Sequence, residues 1–215
     1  MLKLNLQFHA MPGGTTPLRA DTFKKLQLNA GIFIKNLTIG NDAAAMATAI
    51  AAAITAGTNL LGATRGGGTF TVTKETRKPD VDGRRYPFKG DTVVDSVDGY
   101  LSTTLVEITP ENFALGLGSA TIEGSGTKKT ITMNTAIRDT DYIDTLVWVG
   151  DLADGQFVAI ELLNALNTAD LSFAFTDKGE GTIPIEMHAH QADVSAYDTA
   201  PFRVHFLNKA STPGG

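Results

Sequence analysis

KGDTVVDSVDGYLSTTLVEITPENFALGLG, residues 89–118, passes from a long run of strand formers to a proline-led helix start. Residues 91–108 are rich in Val, Thr, Leu, Ile and Tyr, which suit a pleated backbone, and lack the three-and-four apolar spacing of a helix. They read as one long strand. Its odd positions include Asp91, Val93, Val97, Leu101 and Leu105, and its even positions include Val94, Asp98, Tyr100, Ser102 and Val106, so neither face is cleanly oily or cleanly wet. A sheet with one face in bulk water alternates sharply, so the mixture predicts a second face that is covered in part, here by another subunit. At Thr109 the signals change. Its hydroxyl can accept from the free amides of the next turn, Pro110 suits the first helical position and Glu111 favours the positive helix end. Gly116 or Gly118 closes this short helix, with Phe113, Leu115 and Leu117 as its apolar contacts.

The chain has 215 residues and is 42% hydrophobic, enough to bury a core within one domain. We read residues 18–209 as that domain, residues 1–17 as a flexible N-terminal arm and residues 210–215 as a flexible tail. Eighteen basic residues against twenty-three acidic ones leave a net charge of -5. That balance argues against a protein that grips nucleic acid through its phosphates. No cysteine is present, so disulfides and thiolate metal sites are excluded. The longest apolar run, around residues 43–56, is Ala-rich and shorter than the roughly 20 residues a bilayer span needs. Nor do the first residues read as a secretory signal: Leu2, Leu4, Leu6 and Phe8 alternate with Lys3, Asn5, Gln7 and His9. A period of two suits an arm that adds to a sheet as a strand.

Beyond that arm, MPGGTTP is a flexible connector. Residues 26–36 form a first strand with Gly31 at a bulge or close contact, and Asn41 or Asp42 caps a helix over AAAMATAIAAAITA that Gly57 stops. Met46, Ile50 and Ile54 recur every four residues on one face of it. Gly66–Gly68 precede a Thr-rich strand of residues 69–76. A phosphate-cradling loop would end in Gly-Lys-Ser or Gly-Lys-Thr and open a helix, whereas Thr69 and Phe70 open a strand. GLGSAT at 116–121 fails as a nucleotide loop because it follows a helix. Residues 74–90, KETRKPDVDGRRYPFKG, make a long hairpin loop, of a length that is usually functional or disordered. Arg77, Lys78, Asp80, Asp82, Arg84, Arg85 and Tyr86 are its candidate subunit contacts, the charges supplying both halves of salt-bridged docking. Leu2, Leu4, Leu6 and Phe8 are the arm's.

From residue 128 onward the strands TKKTITMNT, YIDTLVWVGD, QFVAIELLNAL, LSFAFTDK, TIPIEMHAH and FRVHF follow one another, with turns at DLADG, NTAD and DKGEG. Leu171, Phe173 and Phe175 share one face of their strand; Ile183, Ile185, Met187 and Ala189 oppose Glu186, His188 and His190 on the next. The fold expected is mainly β: an antiparallel β-sandwich or partial barrel with a flanking short α-helix and one additional Ala-rich helix. Glu186, His188, His190 and Asp193 are the only metal-like group, and their strand spacing alone is weak support for a cation. Ser102, Ser195, Asp198 and His205 lack the elbow and base-and-orienter spacing of a triad. No active site, metal or cofactor is expected.

GATRGGGTFTVT, VDGRRYPFKGDTVVDSVDGYLSTTLVEITPENF, WVGDLADGQFVAIELLNALNTADLSFAFTDKGEGTIPIEMHAHQ and DTAPFRVHF, in that order, resemble the major tail tube proteins of long-tailed bacteriophages. The likeness covers most of residues 26–207 and rests on serial strand, loop and turn signatures. It implies a structural virion protein, not an enzyme, assembled in the bacterial host cytoplasm, with six copies in a ring and rings stacked into a tail tube through which DNA is ejected. Tail-tip initiator, tape-measure and tail-terminator proteins are the further partners implied, and the acidic balance would let DNA slide without adhesion. The inner tube of a contractile injection system is a related reading. A soluble β-sandwich module using Tyr86 and Phe88, and a metal-dependent hydrolase using His188 and His190, are readings of other classes.

Overall fold

Alternating apolar residues and two capped helices organise the chain as β1 (Ile32–Lys35), α1 (Ala43–Ala56), β2 (Thr64–Arg77), β3 (Val93–Leu105), α2 (Pro110–Gly116), β4 (Ala120–Glu123), β5 (Thr130–Met133), β6 (Ile143–Asp151), β7 (Phe157–Asn167), β8 (Ile183–His188) and β9 (Phe202–Leu207). The computed structural model describes residues 22–27, 29–173, 177, 179–196 and 198–208. The fold is mainly β, as the sequence indicated: seven antiparallel strands in the order β1-β6-β7-β8-β3-β2, with β9 also paired to β7, and β4-β5 as a separate pair. No barrel closes. The arm's Leu2, Leu4, Leu6 and Phe8, and the tail 210–215, lie outside the described residues.

The large sheet forms two layers because β7 changes neighbour along its length. Phe157–Leu162 pair with β9, whereas Leu166 and Asn167 pair with β8. Between them Asn164 takes the left-handed region at φ 45°, which Asn tolerates better than most side chains. Its Nδ2 donates to the His190 carbonyl at 3.0 Å, fixing the branch. Val158, Ile160 and Leu162 face the β2-β3-β8 layer, where Leu101, Leu105, Ile183, Ile185 and Met187 complete the main core with Trp148 and Leu146. On the opposite face of β6 and β7, Val147, Val149 and Ala159 pack with Ile34, Leu207 and Met46 of α1. The order of layers is therefore helix, sheet, sheet.

Both helices begin as their caps dictate. Asp42 accepts from the Ala45 amide at 2.8 Å, and Gly57 ends α1 at φ 67°. Met46 is buried, Ile50 half-buried and Ile54 exposed, because residues spaced by four drift about 40° around the helix at each step. The proposed single apolar face thus holds only at its start. Thr109 accepts from the Asn112 amide at 3.1 Å, Pro110 opens α2, and Phe113 and Leu115 pack against the main core. Two buried amides tie α2 to both ends of the sheet. Asn112 Nδ2 donates to the Leu61 and Glu107 carbonyls, and Asn167 Nδ2 donates to Gly116 O at 2.8 Å while its Oδ1 accepts from the Glu186 amide.

Several boundaries differ from expectation. The first strand covers only Ile32–Lys35, Gln27 making a single bridge to Leu152. Gly31 does mark a close contact: the Trp148 ring and Val149 carbonyl stand where a Cβ would go. Gly66–Gly68 lie inside β2 instead of before it, forming a bulge between Arg65 and Gly68. Leu171 and Phe173 pack on the core but carry no strand ladder, and Phe175 lies outside the described residues. Ala120–Glu123 form a strand that the sequence reading passed over. Among the described residues no helix is long and apolar enough to cross a membrane.

Candidate assembly surface

The β2–β3 hairpin divides at Gly99. From Gly99 to Leu105 the inward positions of β3 are buried, and Thr103 donates to Gly67 O at 2.6 Å. Beyond Gly99, toward the tip, the ladder continues through Val72↔Gly99 and Lys74↔Val97 to Arg77↔Val93, yet Val72, Val93, Val94 and Val97 are exposed. The mixed polarity of the long strand thus has two causes. Its basal half has one apolar and one half-buried polar face, and its distal half projects past the core with valines toward solvent. β3 itself is Val93–Leu105, shorter than the 91–108 expected.

The loop at the tip is held by its own charges. Arg84 pairs with Asp91 and donates from Nη1 to the Pro79 carbonyl at 2.7 Å. Asp91 also accepts from the Phe88 amide at 2.8 Å. That amide bond, outweighing the effect of burial and aided by Arg84, holds the Asp91 carboxyl below its ordinary range. Arg84 is consequently committed within its own loop. Arg77 is likewise engaged, with Asp95 across the hairpin at 2.7 Å. Lys78, Asp80, Asp82 and Arg85 are exposed. With the polar backbone of the turn so tied, three apolar side chains face outward: Val81, Tyr86 at 74% exposure and Phe88 at 67%. The sequence reading named Tyr86 and Phe88 but neither Val81 nor the exposure of the four valines, which depends on where the core stops.

The outer edge of β2 is the second feature. Its fourteen residues pair with β3 on one side only, and among the described residues no strand takes the other. By contrast β1's outer edge is partly satisfied, since Lys35 N donates to Asn59 O and Leu61 N to Phe33 O. A long free edge is a template for another strand.

The remaining candidates resolve into structural pairs. His188 stacks on Tyr100, donates toward Asp98 from Nδ1 at 2.8 Å and toward Glu186 from Nε2 at 3.0 Å. Burial works against its charge, but the bonds to Glu186 and Asp98 outweigh it and raise its pKa above 6.5. His190 Nδ1 turns to the backbone carbonyls of Asn164 and His188, and Asp193 accepts from the Ser195 amide. Among the described residues no group of three or more His, Asp or Glu side chains is placed to hold a metal. The paper triad is not assembled: His205 is bonded to Glu161 at 3.0 Å on the helix side of β7, while Ser102 sits across from Glu186 in the other layer. Glu111, at the start of α2, pairs with Lys129. No protein-family model matches this chain, and no match was found among curated proteins.

Proposed function

We propose that this chain is a self-assembling structural subunit whose sheet is continued by neighbouring copies, as in a ring of a phage-type tail tube. The observation that carries the reading is the unpaired fourteen-residue edge of β2. Leaving so many backbone donors and acceptors to water is tolerable, but a long open edge invites pairing unless it is blunted. β2 carries no proline; its irregularities at Gly66–Gly68 and between Glu75 and Thr76, with the charges of Arg65, Lys74, Glu75 and Arg77, bend and guard its two ends, so the uncharged, regularly laddered stretch Thr69–Thr73 is the part of the edge left open to another strand.

The distal hairpin supports the same reading. Four exposed valines and an apolar tip, braced by Arg84 and Asp91, form a preformed lever that needs little ordering when it docks. Lys78, Asp80, Asp82 and Arg85 around the tip then set orientation by charge pairing. On the outward face of the β2-β3-β8 layer, Thr69, Thr71, Ser102 and Thr104 accompany Asp98 and Glu186. A hydroxyl-rich surface carrying carboxylates suits a wall past which a polyanion slides. The contractile-system inner tube would use the same surfaces.

The test is electron microscopy of the purified protein over a concentration series, with sedimentation velocity alongside. Rings or tubes with an open lumen are expected, by self-assembly or on addition of a tail-tip initiator. A monomer under both conditions overturns the reading. The exposed Tyr86 and Phe88 would then favour a soluble module that binds through its hairpin tip.

A further inference from the structure

The two layers part at one end and leave their facing apolar surfaces open. On the β9 side the cleft presents Val204 and Phe206, exposed at 45% and 69%, beside their ladder partners Ile160 and Val158. On the other side stand Phe70, Val72 and Val97. Gln27, the glycine bulge, Phe70, Leu101, Trp148, Val158 and Ile160 line a separate cavity of about 530 Å³, which adjoins this face through Val158 and Ile160 and takes in no β9 side chain. Phe202, stacked edge-on against Phe70 at 5.6 Å and seated on Gly99, closes the inner end. Above this cleft the outer edge of β9 has no strand beside it among the described residues.

We propose that residues 2–8 of a second copy occupy this cleft as a strand added to β9. Resting on the assembly reading above, this names the segment that links one subunit to the next. The period of the arm matches the site: Leu2, Leu4, Leu6 and Phe8 would continue the surface of Val204 and Phe206 over the cleft, while Lys3, Asn5 and Gln7 join the polar face of Arg203 and His205. The length matches too, seven arm residues against the six of β9.

The route favours a second copy. The described chain begins beside the β6–β7 turn, where Asp154 N donates to Lys24 O and Ala153 N to Leu26 O, the same end at which Phe157 meets Leu207. A return to β9 of the same subunit from there needs only a short connection, of about two to six residues. The thirteen residues 9–21, containing MPGGTTP, span up to roughly 45 Å when extended, well beyond what a return to β9 of the same subunit requires.

Because the chain lacks cysteine, the contact can be trapped directly. Leu4→Cys and Val204→Cys variants are prepared separately, mixed, assembled and oxidised, with Lys3→Cys in place of Leu4→Cys as the comparison and particles counted by microscopy in parallel. The expected result is a disulfide-linked pair of chains from the Leu4→Cys mixture and little from Lys3→Cys. Leu2→Cys and Leu6→Cys, run beside them, cover a shift of register by two. Assembled particles with no cross-link from any apolar position, or with equal cross-linking from Lys3→Cys, overturn the docking while leaving the assembly reading intact. A cross-link found only within one chain of a Leu4→Cys, Val204→Cys double variant that stays monomeric overturns both.

Discussion

Replacing Tyr86 and Phe88 together by alanine separates a surface built for assembly from one built for the fold. Both rings are about two-thirds or more exposed, and neither belongs to the core clusters. Fully burying a large apolar side chain is worth about 1.5–3 kcal/mol, so covering the exposed part of each ring at an interface contributes about 1–2 kcal/mol. Losing both removes about 2–4 kcal/mol per subunit contact, which raises the concentration needed for assembly about 30- to 700-fold. The loop should keep its shape, because Arg84, Asp91 and the Phe88 amide do not use either ring. Thermal unfolding of the monomer therefore stays within about 0.5 kcal/mol of the parent, as for other surface changes. Sedimentation velocity across a dilution series gives the first quantity and calorimetry the second. An unchanged assembly threshold with unchanged stability would refute the role given to the tip.

Three further outcomes follow from the interior. His188 has its pKa raised by Glu186 and Asp98, so its stabilising charge is fully present below pH 6.5 and is lost as pH rises through the raised value. The stability of the parent should fall relative to His188→Gln over that rise, and parallel melting curves in buffers from pH 6 upward would contradict this. Asp141, 6% exposed, accepts from Ser119 Oγ at 2.6 Å and from Arg138, whose bonds outweigh burial and pull its pKa from 3.8 to about 2. Asp141→Asn should cost about 1.5–3 kcal/mol at neutral pH. The difference, read by chemical denaturation, is present above pH 3.8 and vanishes as pH falls through about 2. Gly99→Val places a side chain where the Phe202 ring sits, and overpacking of this kind costs about 1–3 kcal/mol. A variant of Gly99 as stable as the parent would show that the ring moves aside freely.

What could be read from the sequence was local. Asp42, Gly57 and Thr109 announce the helix ends because each satisfies a backbone group within four residues of itself, and Pro110 because it lacks the N–H that a first helical residue would leave unpaired. β8 alternates without exception, so the burial of Ile183, Ile185 and Met187 could be assigned before any partner strand was known. The pairing of β9 with β7 joins residues 40 to 50 positions apart, and nothing in FRVHF specifies it. Leu171 and Phe173 show the opposite error: alternation also arises where an extended segment packs two side chains on a core without laddering. The glycine bulge was misplaced because β3, not β2 itself, carries the strand through Gly66–Gly68. Of the candidate surface, the length and charge of the loop could be read. The clasp of Arg84 on Asp91 and the exposure of Val72, Val93, Val94 and Val97 depend on tertiary geometry.

The change of neighbour along β7 bears on how the subunit comes apart. A single strand shared by both layers means that neither layer can open without breaking hydrogen bonds of the other. Amides of β7 should therefore exchange with solvent only through global unfolding, as one cooperative unit with β6 and β8. The distal hairpin, held by its own ladder and by the Arg77–Asp95 and Arg84–Asp91 pairs, lies outside that unit. Changes confined to the hairpin tip should therefore leave the exchange protection of β7 as it is in the parent.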